Sequence, residues 1–229
     1  MTLDRDAGVT ERRLDVRERM RNRVRLQQRQ KEDSRQRFVA AMREALEAMP
    51  YASIAVEDIA ARAELSRVTF YKHFASKFEI GRVLHDEFRP RIFEVYKKFA
   101  EHGAPDLDHI ARCIDGLLDF YAREKRLIIA FGQMMVVEPE FIPVVDQQAR
   151  DIMDYWGRSI PALAAMLDDG HKGEIARIDG RLMLSQLNDF CYGMVVYRWK
   201  IDRADGLGIM ARNISRFMGD QAELSKTLS

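Results

Sequence analysis

The sequence predicts an all-α protein built of a small N-terminal three-helix unit followed by a larger helical region. Apolar residues recur at three-to-four spacing along most of the chain, which is the mark of helices with one buried face. No stretch shows the strict alternation of a half-buried strand, and only six prolines and 13 glycines interrupt 229 residues. Short turn-like connectors divide the helical patterns.

Each element follows from its own residues. Asp33 or Ser34 is placed to cap a first helix carrying Phe38, Met42, Leu46 and Met49 on one face, with Pro50 just beyond its end. After the connector YASIA, the segment VEDIAARA puts Val56, Ile59, Ala60 and Ala63 on one side, and the alanines permit a close crossing. Ser66 then caps a third helix. Projected at about 100° per residue, that helix buries Phe70 and Phe74, turns Val68, Thr69 and Lys72 outward, and sets Tyr71 and His73 on its flanks. A small mixed outward face with hydrogen-bonding flanks suits base edges and phosphates rather than a protein core. Ser76-Lys77-Phe78-Glu79 reads as a capping box whose lysine favours a phosphate at the next helix start.

Charge supports an anionic partner for the front of the chain. Residues 1–82 hold 18 Lys/Arg against 13 Asp/Glu, a balance of +5, and the remainder holds 19 against 23, a balance of −4, within an overall +1. Arg13, Arg17, Arg21, Arg25 and Arg29 recur every four residues, with Val16, Met20 and Val24 as a short apolar stripe. Residues 1–32 therefore read either as a solvated tail or as a basic arm that follows a phosphate backbone.

At 47% hydrophobic and 32% charged side chains, the chain is an ordinary globular protein able to bury a core. MTLDRDAG lacks an apolar secretory core, and later apolar runs are broken by charges short of the roughly 18 residues a bilayer crossing needs. A cytoplasmic protein without a membrane partner is expected. Cys113 and Cys191 lie far apart without C-x-x-C spacing, which favours two small buried apolar residues over a disulfide or a metal site. His102, Asp106, Asp108 and His109 form the best enzyme-like cluster, with Asp168, Asp169 and His171 second. Both sit around turns, where solvated loops explain them better than catalysis, and no Gly-rich phosphate loop occurs. No catalytic residue and no cofactor is expected.

The stretch AVEDIAARAELSRVTFYKHFASKFEI, Ala55 to Ile80, resembles the pattern TVxxIAxxAGVSxGTLYxHFxSKxxL of TetR-type transcriptional regulators. The two agree in register at IA, the Ala before the turn, Ser, Thr, Tyr, His-Phe and Ser-Lys. The resemblance implies a helix-turn-helix DNA-binding domain over residues 33–80 and a helical ligand-binding and dimerisation domain over 81–229. It implies DNA contacts from Ser66, Arg67, Val68, Thr69, Tyr71, Lys72, His73 and Lys77. Within that set, Lys72 and Thr69 approach the groove, and Tyr71, His73 and Lys77 meet the backbone. Double-stranded DNA, a homodimer on a palindromic operator and a small-molecule effector are the partners implied, with repression the expected output. A protein of the same fold with a non-transcriptional role is the alternative.

Departures from the pattern are Ala55 for a capping Thr or Ser, Glu64 for the turn Gly, Val68 for Gly and Phe70 for Leu. Glu64 implies a turn that either avoids positive φ or accepts strain. Val68 presents methyls that could meet a thymine methyl. Glu57 stands where some relatives carry a basic residue.

Beyond residue 80, helices are expected on either side of Arg89-Pro90, with a kink or break there, then over Leu107 to Glu124, Leu127 to Val137, Phe141 to Leu167, Ile178 to Ile201 and Leu207 to Met218. LDDGHKGE reads as a turn. RLMLSQLNDFCYGMVVYRWK is apolar nearly all round and must be covered on two sides. Leu207, Met210, Ile214 and Phe217 mark the last helix, and in the resembling family the two final helices pair across a two-fold axis. Candidates for an effector pocket are Phe93, Tyr96, Phe120, Tyr121, Phe131, Met134, Met135, Met153, Tyr155, Trp156, Phe190, Tyr192, Met194 and Tyr197.

Overall fold

A computed structural model describes residues 3–227 apart from 102 and 104, with side chains described over 20–223. The described residues are mostly helical, without strands, as the periodicity requires. They divide into two units, one of residues 1–49 and 53–80 and one of residues 50–52 and 81–229.

The first helix, α1, runs from Leu3 to Ala48 rather than beginning at Asp33 or Ser34. Ser34 caps nothing; its hydroxyl donates to the carbonyl of Gln30 one turn back, at 2.9 Å. A serine can make that bond inside a helix as readily as it caps one, so its presence does not fix a start. The described side chains before Ser34 are exposed, Met20 and Val24 included. Arg13, Val16 and Arg17 have side chains outside the described residues.

Helix α2 spans Val56–Arg62, α3 spans Arg67–Tyr71, and α4 spans Lys77–Lys97. Their small core holds Phe38, Met42, Ala45, Leu46, Ile54, Ile59, Ala60, Ala63, Phe70, Phe74 and Ile80, all buried. Phe38 stands edge-on to Phe70 with ring centroids 5.3 Å apart, and edge-on to Phe74 at 6.3 Å. Such pairs add to simple burial because the positive ring edge meets the negative face.

Pro90 neither breaks α4 nor ends it: the helix continues to Lys97, with the proline on its exposed side. Apolar anchors on both flanks, Leu84 and Phe88 before it and Ile92 and Tyr96 after it, are buried and hold the helix against the loss of one backbone bond.

The second unit adds α5 (Leu107–Arg123), α6 (Lys125–Val137), α7 (Ile142–Ser159), α8 (His171–Tyr192) and α9 (Arg203–Thr227). Three expected spans were too simple, among them the one over Ile178 to Ile201, which starts earlier and leaves regular α-helix at Tyr192. The helix expected over Phe141 to Leu167 stops at Ser159, where the residue before Pro161 takes extended backbone, and a 3₁₀ segment Pro161–Leu167 follows and packs on α8 and α9. LDDGHKGE is a turn only up to Gly170, because α8 starts at His171. The guanidinium of Arg177 clamps that turn by donating to the carbonyls of Met166 and Asp168, at 3.0 and 2.7 Å. At its far end α8 widens into a π turn, Gly193–Tyr197, closed by Arg198 in the left-handed region. A Cβ on Gly193 would lie 2.5 Å from the Trp199 ring, so only glycine allows this closure. Cys113 and Cys191 are buried free thiols, and burial pushes their pKa values up to about 11 and about 12.

Candidate nucleic-acid interface and internal cavity

The segment LSRVTFYKHFASK is not one helix. α3 ends at Tyr71, and the chain tightens through Lys72 N–H to Thr69 C=O and His73 N–H to Phe70 C=O, at 3.2 and 2.9 Å. The burial pattern survives this shortening, since Phe70 and Phe74 both fill the core while Lys72 stays exposed. Val68 and Tyr71 are 68% and 51% exposed, a large apolar and aromatic surface for a five-residue helix.

Ser66 caps α3 through its hydroxyl, which accepts from Thr69 N–H at 3.0 Å and also pairs with the Thr69 hydroxyl at 2.9 Å. The turn before it is a Schellman closure: Leu65 N–H bonds Ala60 C=O at 3.0 Å and Glu64 N–H bonds Ala61 C=O at 3.1 Å. Glu64 occupies the left-handed position with φ 53°, so the turn accepts the strain that glycine would avoid. Ala55 has no side-chain cap to offer, and Asp58 partly compensates by accepting from Ala55 N–H at 2.8 Å. The second box is displaced. Glu79 accepts from the N–H of Ala75, one residue before the position assigned from Ser76.

Cations around α3 are held in place. Arg67 meets Glu57 of α2 at 2.5 Å and lies over the Tyr71 ring at 5.8 Å. Lys77 donates to Ile54 C=O at 2.9 Å, which ties the start of α4 to the loop before α2. Arg35 of α1 sits over Phe74 at 5.3 Å. His73 is half-buried beside Phe38, with a buried Nδ1 outside hydrogen-bonding reach of any described protein group. Burial first, then Lys31 and Arg35, lower its pKa, so the ring is neutral at neutral pH.

The second unit holds a partly open cavity of about 380 Å³. Four of its walls come from one face of α4: His85, Phe88, Ile92 and Tyr96. Phe131 on α6 faces His85 edge-on at 5.2 Å and Phe88 at 5.2 Å. Tyr96 and Tyr121 both donate from their hydroxyls to Oδ1 of Asn188 on α8, at 2.5 and 2.7 Å. Of the candidates read from sequence, Tyr96, Tyr121, Phe131, Met135 and Tyr192 line this space. The others do not. Phe93 packs on Tyr155, Phe120 on Phe88, and Trp156 on Tyr96 and Phe99. Met134 lies against Gly81, Met153 against Gly180, and Phe190 against Gly206. Met194 and Tyr197 belong to the π turn.

Residues 38–80 match the family described as bacterial regulatory proteins, tetR family. The fold is that of a TetR-family transcriptional regulator. A transcriptional regulator of the TerR/AcrR family from Aquifex aeolicus VF5 is similar at 18% identity and TM-score 0.53, over 79% of this chain and 97% of that one. A TetR-family regulator from Syntrophomonas wolfei is 16% identical, with TM-score 0.58 over 82% and 95%. GusR of Salmonella enterica is 15% identical, with TM-score 0.59 over 80% and 95%. A search among curated proteins finds no match.

Structural duties account for most described members of the enzyme-like clusters. Asp106 caps α5 by accepting from His109 N–H at 2.7 Å, and the buried His109 ring bonds Lys98 C=O at 2.9 Å. His102 lies outside the described residues. Asp168 accepts from Gly170 N–H at 2.7 Å within the turn, and His171 lies 3.6 Å from Glu174. No single described helix is long and apolar enough to cross a membrane. The cavity residues missed in the sequence include polar ones, such as His85, Gln148 and Asn188, and apolar ones, such as Phe88, Ile92 and Leu184. His85 carried a signal, since it falls on the same helical face as Phe88, Ile92 and Tyr96.

Proposed function

We propose that the protein is a sequence-specific DNA-binding transcriptional regulator that acts as a homodimer on a palindromic operator and represses until a small molecule occupies the internal cavity. One observation carries the reading. A five-residue helix anchored by Phe70 exposes Val68, Tyr71 and Lys72 together, within the segment that matches the tetR family. A helix with no role outside the core would not leave that face uncovered.

Val68, Thr69 and Lys72 meet the groove, and Ser66, Arg67, Tyr71, His73 and Lys77 meet the backbone. Helix α4 supplies both Lys77 and the cavity residues His85 to Tyr96, so ligand and DNA act on one element. A ligand preferring the conformation that DNA disfavours lowers occupancy by its differential affinity, and DNA weakens the ligand equally.

Selection of bound sites from random DNA at moderate salt tests the reading. An enriched, two-fold-related motif is expected. Lys72→Ala should relax or weaken preference at local positions, whereas Tyr71→Phe should weaken all sites alike, each by about 1 kcal/mol or more. Absence of any enriched motif sinks the proposal.

A further inference from the structure

The cavity wall is polarised along α8. That helix contributes Arg181, Leu184, Ser185, Asn188, Asp189 and Tyr192, which recur at helical spacing and share one face. Arg181 and Asp189 stand eight residues apart, about 12 Å along the axis, so opposite charges mark the two ends of this wall. The two ends differ in what answers them. Arg181 is paired with Asp146 of α7 at 3.1 Å, and Arg150 shares the same carboxylate. Asp189 is exposed at the opening, and its carboxylate has no partner among the described residues.

Aromatic rings gather at the Asp189 end. Tyr192 follows Asp189 within one turn, and Tyr96 and Tyr121 converge on the neighbouring Asn188, both donating to its Oδ1. A phenol that gives its proton to an acceptor becomes more electron-rich, which deepens the negative face of its ring. Burial raises the pKa values of both hydroxyls. It also lowers that of His85, against smaller opposing effects of Asp86 and a hydrogen bond with Gln148, so none of the three adds a charge at neutral pH. A cation at this end exchanges water for ring faces and a carboxylate, whereas an anion meets negative charge on every side.

We propose that the cavity receives an aromatic ammonium ion, its charge held at the opening between the Asp189 carboxylate and the rings of Tyr121 and Tyr192, its flat body reaching inward to Phe88, Ile92 and Phe131. These three inner residues are buried and apolar. The rings of Phe88 and Phe131, tilted 69° to one another, offer faces and edges to a flat guest. An alkylated ammonium suits the outer part, because it is weakly hydrated and spreads its charge over groups that pack on aromatic faces. Arg181 fixes the direction of entry, since it repels the charged group from the far end of α8. This assignment rests on the reading of the cavity as the effector site, and it specifies the effector's class.

Titration calorimetry on the full-length protein without DNA tests it with three probes sharing one ring system: naphthylmethyl-trimethylammonium, naphthylmethanol and naphthylacetate. The cation should bind once per chain, about tenfold tighter than the alcohol, and the carboxylate should bind most weakly. Asp189→Asn, at an exposed site, should bring the cation to within about threefold of the alcohol. Tyr192→Leu, which removes a ring and no charge, should weaken the cation about threefold. Added salt should weaken the cation and leave the alcohol alone. Circular dichroism confirms that each variant is folded. An alcohol that binds as tightly as the cation, tightest binding of the carboxylate, either variant leaving the cation's advantage intact, or binding of none of the three overturns the assignment. The selection of DNA sites uses no ligand, so either experiment can fail while the other stands.

Discussion

Glu64 and Glu57 show how single residues set the properties of the turn and the recognition face. Glu64 fills the position of a Schellman closure where glycine costs nothing, at φ 53°. Its carboxylate gains little in return, since it lies 3.6 Å from Arg37 and is 86% exposed. Glu64→Gly should therefore raise stability by about 0.5–1 kcal/mol, read as a higher midpoint in thermal unfolding; an unchanged or lower midpoint would show that the turn is not strained. Glu57 acts on function instead. It holds Arg67 in an exposed ion pair at 2.5 Å, and in the DNA contact we propose a phosphate must compete for that guanidinium. Glu57→Gln removes the competitor and a like charge near DNA. Affinity should rise roughly fivefold at low salt, with a steeper salt dependence by about one phosphate contact. Fluorescence anisotropy across a salt series measures both, and unchanged affinity would place Arg67 away from DNA. The sequence already marked both glutamates as departures from the family pattern. Only the backbone angle and the distance to Arg67 could say what they do.

Elements were legible where a periodic face met clear punctuation. The buried faces of α1, α2 and α3 were read correctly because Phe38, Met42, Ile59, Phe70 and Phe74 recur at helical spacing. Punctuation misled in both directions. Pro90 fails to interrupt α4 because buried residues on both sides outweigh one lost bond, whereas Pro161 ends α7 at a residue that goes extended. Helix α1 gave no signal for its early start, since an Arg-rich stretch without a wide apolar face looks the same in a helix or a tail. The cavity was half legible. Aromatic composition found Tyr96, Tyr121 and Phe131, but packing partners decide which aromatics are core, and those are long-range in sequence. The extension of α1 supports a prediction at this scale. Its described side chains before Ser34, residues 20–33, are exposed, so residues 20–29 give up no core contact when residues 1–29 are removed. If the stripe of arginines follows a phosphate backbone, the deletion should flatten the plot of log affinity against log salt by about 2–4 units. An identical slope would leave the segment as a solvated extension.

The second unit leaves apolar surface uncovered along one line of α8, where Ile175, Ile178 and Leu182 share a face and Leu182 is 63% exposed; Ile209 of α9 is exposed as well. Isolated exposed residues need no explanation, but a stripe at three-and-four spacing on a terminal helix pair asks for a cover. In the dimer we propose, a second copy of the chain is the cover that would also account for DNA reading, because a two-fold axis through paired helices duplicates the recognition helix. One α3 has too few outward residues to specify a site in a genome, while two of them, about 34 Å or a multiple apart along the duplex, read both halves of a palindrome. The dimer then gains through effective concentration rather than through new contacts. Leu182→Glu places a charge on the proposed seam without touching the cavity or the DNA-binding unit. Sedimentation velocity at micromolar concentration should show a dimer for the parent chain and a monomer for the variant. On a full palindrome the variant should bind at least about 100-fold more weakly, while on an isolated half-site the two should bind alike. A parent chain that sediments as a monomer contradicts the symmetric reading outright. A variant that stays dimeric moves the seam away from α8, and equal losses on half-site and palindrome would mean that the substitution damaged the fold rather than the pairing.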